Sequence, residues 1–359
     1  MKIGIVGFPK SGKTTLFNLL TGSAAATSRF ESVRAELHIG VARVPDERVT
    51  RLSALFKPRK TTFASFEVID LAGITKGHRE PLETKEFRNA DALLHVVRAF
   101  PDPSGAPADP KREIADLETE LILADLDVVE RRLSRLEASL KRKRLEAEVK
   151  EQAILQRIKG GLEAETPIRA ADLSHDDAKA IRGFTFLSQK PILHCLNLAE
   201  SDISEGERLA EAFGLEEIAR RPGTVIGWVS AVIEGEVAQL EGPAQAAFLA
   251  ELGLNEPAIV RVLKDCYALL GLVSFFTVGE DEVRAWSISR GTRAQDAAGI
   301  IHSDMARGFI RAEVVGYDEL IAANGSMAEV KQKARLRLEG KDYEVKDGEV
   351  CHVRFNVAK

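Results

Sequence analysis

Eight residues close to the start of the chain, Gly7-Phe8-Pro9-Lys10-Ser11-Gly12-Lys13-Thr14, satisfy the pattern G-x-x-x-x-G-K-[ST]. They follow an apolar run, Lys2 to Val6, that reads as a short buried strand, and they open Ser11 to Leu20, which reads as a helix. In that setting the glycines let the backbone wrap closely around a ligand. Successive amide N–H groups and the positive end of the helix then surround phosphate groups. Position alone assigns Lys13 to the β- and γ-phosphates and the Thr14 hydroxyl to Mg²⁺. A loop of this kind commits the first part of the chain to a strand, loop, helix order and therefore to an α/β fold.

Further apolar stretches at Phe63 to Asp70, Ala92 to Val97, Ile192 to Asn197 and Thr224 to Ser230 each precede polar or helical sequence. Their alternation predicts a mainly parallel sheet with helices on both faces. Asp70-Leu71-Ala72-Gly73 supplies D-x-x-G at a predicted strand end. Asp70 there is expected to hold Mg²⁺, and the Gly73 amide to sense the terminal phosphate. Proteins with this pair of motifs read guanine through Asn-Lys-x-Asp after a late strand, and the matching place here is Asn197-Leu198-Ala199-Glu200. The lysine is missing and the acid is longer, so guanine is read poorly and adenine becomes plausible. Ser230-Ala231, after the last strand, is the candidate element closing over the base.

The segment from about Glu113 to Lys159 has a different texture. Ile122, Leu126, Val129, Leu133, Leu136 and Leu140 recur at spacings of four and three, with Arg131, Arg132 and the run Lys141 to Arg144 between and after them. This pattern predicts a coiled-coil seam on one long helix, broken at Gly160-Gly161, with Asp172 to Gly183 returning as its antiparallel partner. The basic run is either a solvated face or a phosphate-contacting arm. From about Gly271 short strands such as Ser274 to Val278 and Val283 to Ser289 predict a separate β-rich domain. The expected division is a nucleotide-binding domain from 1–112 and 188–270, a helical hairpin insertion at 113–187, and a C-terminal domain at 271–359.

Composition narrows the partners. A net charge of −5 over 359 residues makes the whole molecule no general binder of nucleic acid, so any RNA contact must use a local basic patch. Cys195, Cys266 and Cys351 lie far apart, which argues against a zinc or disulfide framework and fits a reducing compartment. The first apolar run is too short for a signal peptide, and no stretch has membrane-spanning length. A cytoplasmic monomer without membrane or DNA partners is expected.

These motifs resemble the YchF/Obg-like ATPases, a branch of the P-loop GTPase superfamily. The resemblance rests on Gly7 to Thr15, Asp70 to Gly77, Asn197 to Glu200, Leu93 to Phe100 and Glu120 to Leu126. It is strongest in Phe275 to Gly279, Glu282 to Trp286, Gly308 to Val314 and Leu338 to Tyr343, which look like the β-grasp TGS domain of that family. It implies a coiled-coil hairpin on the nucleotide domain, Mg²⁺-dependent ATP hydrolysis and association with ribosomes or ribosomal RNA. Departures also stand out. Ile74 follows D-x-x-G where Ras-like proteins place a water-orienting glutamine, and the loop Pro101 to Pro110 lacks the histidine that family members carry there. Arg34 aligns with their switch threonine, and His78 is the nearest histidine that could orient water, or else a solvated loop residue.

Two readings follow. One is an ATP-hydrolysing switch with Lys13, Asp70, Gly73 and His78 as its catalytic set. The other is a nucleotide-gated RNA- or ribosome-binding module with little turnover, or a GTPase. In the C-terminal region His302, Arg307 and Arg311 could contact RNA, and packing or solvation explains them equally well.

Overall fold

A computed structural model of the chain describes residues 1–23, 38–70, 85–102 and 105–356. In chain order the strands are β1 (Lys2–Val6), β2 (His38–Arg43), β3 (Lys60–Thr62), β4 (Ser65–Asp70), β5 (Ala92–Ala99), β6 (Ile192–Leu198), β7 (Thr224–Val229), β8 (Leu272–Thr277), β9 (Glu282–Ser289), β10 (Phe309–Gly316), β11 (Arg337–Glu339) and β12 (Glu349–Phe355). The first five helices are α1 (Lys13–Thr21), α2 (Glu47–Phe56), α3 (Lys85–Arg88), α4 (Pro110–Arg142) and α5 (Glu146–Glu163). The described chain divides into two compact units, residues 1–42 with 67–269, and residues 43–66 with 270–359.

The first unit is built on a sheet of strand order β2-β4-β1-β5-β6-β7. β1 pairs in parallel with β4 and β5, β5 with β6, and β6 with β7. β6 is buried along its whole length and β5 at all but one residue. Such near-continuous apolar strands suit a parallel sheet covered on both faces. Gly4 marks how tightly the covering layer fits, because a Cβ there would lie 2.5 Å from the Phe87 ring.

The helical insertion differs from its sequence expectation. The run Glu113 to Lys159 is not one helix. α4 ends at Arg142, the chain turns through Lys143 to Leu145, and α5 runs back as the partner. Leu155, Ile158 and Leu162 of α5 form one buried cluster with Ile122, Val129, Leu133 and Leu136 of α4. The seam therefore finds its apolar partner in α5, which begins at Glu146, well ahead of the glycine pair. Gly160 and Gly161 lie within the last turn of α5, where an added Cβ would meet nothing within 4 Å. The segment expected as the returning helix supplies only the short helix His175–Ile181. Asp125 of α4 fixes the way back to the sheet, its buried carboxylate accepting from the Leu187 and Ser188 amides at 2.9 and 2.7 Å.

The second unit holds a mixed sheet of order β11-β10-β12-β8-β9-β3. β8 and β12 are parallel neighbours, whereas β8 with β9 and β10 with both β11 and β12 are antiparallel. β3 and α2 belong to this unit although they sit within the N-terminal stretch of sequence. β3 adds to the sheet edge in parallel with β9, and the Thr62 hydroxyl donates to Glu282 Oε1 at 2.6 Å. Val273, Phe275, Ile288, Ala312, Val314 and Cys351 form its core.

Candidate nucleotide site

The loop between β1 and α1 takes three left-handed backbone conformations, at Gly7 (φ 150°), Lys10 (φ 65°) and Gly12 (φ 99°). Gly7 must lack a side chain, since a Cβ would stand 2.6 Å from the Val96 carbonyl oxygen. Gly12 stands at the N-cap of α1 and brings no capping side chain, so the first amides of that helix keep no side-chain partner of their own. Phe8 packs against the core cluster of Val6, Phe87 and Leu93, while Lys10 is exposed and Pro9 and Thr15 are half-buried.

Lys13 is buried and folded back, its ammonium donating to the Phe8 carbonyl at 2.8 Å. Burial draws it down to about 8, against the attraction of Asp70 and Glu113. The Thr14 hydroxyl donates to Asp70 Oδ2 at 3.2 Å, and His38 Nδ1 lies 3.9 Å from the same oxygen. Asp70 is buried at the end of β4, and its Oδ1 has no hydrogen-bond partner among the described residues. Burial raises the Asp70 carboxyl above its usual range, opposed by Lys13, the Thr14 hydroxyl and His38. Two hard oxygens, one hydroxyl and one carboxylate, thus converge beside a lysine. That donor set fits a hard divalent cation which takes its remaining ligands from phosphate and water.

The far side of the loop is held by Asn197, the last polar side chain of β6. Its Nδ2 donates to the Ser11 carbonyl at 3.0 Å and its Oδ1 accepts from the Ala231 amide at 3.0 Å. Both ends of the amide are committed to the protein, so Asn197 ties the phosphate loop to the start of the helix Ala231–Val237. Leu198 and Ser230 are buried, and Glu200 is exposed where a 3₁₀ segment begins after β6. The structure therefore brings Gly7, Lys13, Thr14, Asp70, Asn197 and Ala231 to one end of the parallel sheet. Gly73, Ile74, His78 and Arg34 lie outside the described residues.

Sequence reasoning passed over four groups. His38 reaches Asp70 from an edge strand, and Glu113 binds the Arg98 amide at 3.0 Å with its carboxyl pushed up by burial. His95 and His194 meet beneath the phosphate loop with Nδ1 atoms 2.9 Å apart. Single histidines on apolar strands carry no local signal, and only strand register makes them neighbours. In the second unit, His302 and Arg307 both turn to Asp304, and Arg311 is exposed on β10. A cavity of about 520 Å³ in that unit, lined by Arg48, Arg51, Tyr317 and Lys346 among others, contains no phosphate-loop residue. The three cysteines are buried and unpaired with one another. Among the described residues no helix is long and apolar enough to cross a membrane.

Residues 2–131 match the 50S ribosome-binding GTPase family, and residues 272–356 match the YchF GTPase C-terminal family, described as a protein of unknown function. The chain is 41% identical to the ribosome-binding ATPase YchF of Bacillus subtilis (strain 168), over 99% of each chain. It is 38% identical, with the same coverage, to the protein of that name from Escherichia coli O157:H7. Among solved structures it resembles the Schizosaccharomyces pombe YchF GTPase, with a TM-score of 0.84 at 26% identity, covering 99% of this chain and 97% of that one.

Proposed function

The chain belongs to the YchF family, and from that membership we propose that it is an ATP-binding and ATP-hydrolysing switch that associates with ribosomes. The observation that carries the reading is the pairing of Thr14 with Asp70 at 3.2 Å beside the buried ammonium of Lys13. The uncapped amides of α1 and that ammonium take the phosphates. Thr14 and Asp70 hold Mg²⁺, which when bound neutralises charge on the phosphate oxygens.

The protein's own contribution is placement. Gly7, Lys10 and Gly12 shape the loop, Asn197 locks it against the base-side element, and Lys13 neutralises charge as the terminal phosphoryl group leaves. Adenine is preferred because Asn197-Leu198-Ala199-Glu200 lacks the lysine and the aspartate that read guanine. Ile74 cannot orient water as a glutamine would, so turnover is slow without an activating partner.

Lys141, Arg142, Lys143 and Arg144, all exposed around the turn between α4 and α5, offer the local positive charge that ribosomal RNA requires. The C-terminal unit acts as the TGS-type module of the switch. Nucleotide affinities of the purified full chain test the reading. Tighter ATP than GTP binding, and hydrolysis abolished by Lys13→Ala, are expected. Equal or GTP-favoured binding defeats the ATP assignment, and turnover unaffected by Lys13→Ala defeats the site.

A further inference from the structure

Behind the phosphate loop lies a buried polar chain that the nucleotide reading does not use. His95 on β5 and His194 on β6 are register partners on adjacent parallel strands, both without solvent exposure. Their rings meet edge to face, with Nδ1 atoms 2.9 Å apart. Two ring nitrogens at that distance need one hydrogen between them. Beyond His194, Oε1 of Glu118 on α4 approaches Nε2 at 3.4 Å, an electrostatic contact without the alignment of a hydrogen bond, and the Arg169 guanidinium binds the same oxygen. Arg169 sits just past the end of α5, where it also donates to the Ser188 carbonyl at 3.3 Å. The chain thus runs from both legs of the helical hairpin, at their base, to the centre of the sheet.

Burial pushes the Glu118 carboxyl up, but His194 and Arg169 outweigh it and hold the group below the usual carboxylate range. An ionised carboxylate faces an N–H rather than a lone pair, so His194 carries its hydrogen on Nε2. Burial foremost keeps both imidazoles neutral. His194 Nδ1 is then an acceptor, His95 must donate from Nδ1, and His95 Nε2 is left as a bare acceptor. That nitrogen has no partner among the described residues, and neither has the hydroxyl of Ser11, which is wholly buried. Both belong beside Gly7, where an added Cβ would lie 3.1 Å from Ser11 Oγ and 3.5 Å from the His95 ring carbon bonded to Nε2.

We propose that His95 is a positioning residue of the nucleotide site, set as an acceptor by the Arg169–Glu118–His194 chain at the base of the hairpin and placed to take a hydrogen bond from the Ser11 hydroxyl when the loop closes on phosphate. The inference rests on the nucleotide reading above. It gives the hairpin a route to the loop, because a shift of Glu118 or Arg169 frees the histidine pair to exchange tautomers and withdraws the acceptor from Ser11. Coupling between the two is reciprocal, so phosphate binding also braces the hairpin base.

Nitrogen-15 NMR of histidine-labelled full chain reads the tautomers directly, with His95 and His194 assigned through His95→Gln and His194→Gln. Without nucleotide, His95 should carry its hydrogen on Nδ1 and His194 on Nε2. ADP should move the His95 Nε2 signal in the unaltered chain and leave it in place in Ser11→Ala. Glu118→Gln should give mixed tautomers at both histidines and weaken ADP binding about tenfold. Arg169→Lys, which keeps a positive charge near Glu118, should show the same trend more weakly. His95 protonated on Nε2, or unchanged tautomers and unchanged ADP affinity in Glu118→Gln, overturns the proposal. An unaltered chain that binds no ADP at all sinks the nucleotide reading instead, whatever the tautomers.

Discussion

The side-chain amide of Asn197 donates to the main-chain carbonyl of Ser11 at 3.0 Å, across 186 positions of sequence. Its oxygen at the same time takes the Ala231 amide, so one side chain staples the phosphate loop to the element expected to cover the base. Asn197→Ala leaves a buried carbonyl and a buried N–H unpaired, at a cost of about 2–4 kcal/mol. Chemical denaturation should show that loss together with weaker ADP binding. An Asn197→Ala chain as stable and as tight as the parent would show that the staple does not hold the loop.

Burial of the Asp70 carboxylate carries an electrostatic cost. Its carboxyl is raised by burial, so the folded chain disfavours the charged form relative to the unfolded one. The penalty is fully present above the folded pKa and vanishes as pH falls below the ordinary carboxylate range. Asp70→Asn should therefore melt roughly 2–4 °C higher than the parent near neutral pH, and the gap should close on acidification. Mg²⁺-dependent ATP hydrolysis should disappear in the same variant. A lower melting temperature near neutrality would contradict this account of the buried carboxylate.

Lys13 predicts a pH dependence of ligand binding. In the free chain burial holds its ammonium down to about 8. A bound polyphosphate favours the charged form, so binding takes up a proton wherever the free lysine has lost one. Relative to pH 7, affinity for metal-free ADP should be about twofold weaker at pH 8 and roughly tenfold weaker at pH 9. Calorimetric titration in buffers of different ionisation enthalpy would register the proton uptake, and a flat profile to pH 9 would place the lysine away from the phosphates.

The hairpin separates packing from surface charge. Leu155 of α5 is fully buried against α4, so Leu155→Ala should cost about 2–5 kcal/mol and speed amide exchange along both helices. Arg132 binds Glu151 through two bonds of 2.7 Å, yet the pair is partly exposed, and Arg132→Ala should cost under about 1 kcal/mol. Comparable losses in the two variants would mean that the ion pair, not the seam, holds the hairpin.

The local chemistry of the site was legible in the chain itself. A loop with glycine at positions 7 and 12, a lysine and a hydroxyl at the helix start admits few conformations, and the apolar runs that follow alternate at the period of a parallel sheet. Asp70 and Asn197 could be named because each stands at or next to the carboxyl end of such a run, on the side of the sheet where the loop after β1 lies. Helix ends were less legible, since the seam fades after Leu140 without a breaking residue before Gly160, and only the apolar face of α5 decides where the chain turns back.

What the sequence could not specify depends on register and on contacts between distant segments. β3 joins the sheet of the second unit because its edge pairs with β9, about 220 residues further on. His95 becomes a neighbour of His194, and both of Glu118 and Arg169, only once β5 and β6 align and the hairpin base packs against them. A residue's own neighbours in sequence fix its local conformation, whereas a buried hydrogen bond is fixed by whichever distant group the completed core leaves within 3 Å. The phosphate loop is of the first kind, and the polar chain behind it is of the second.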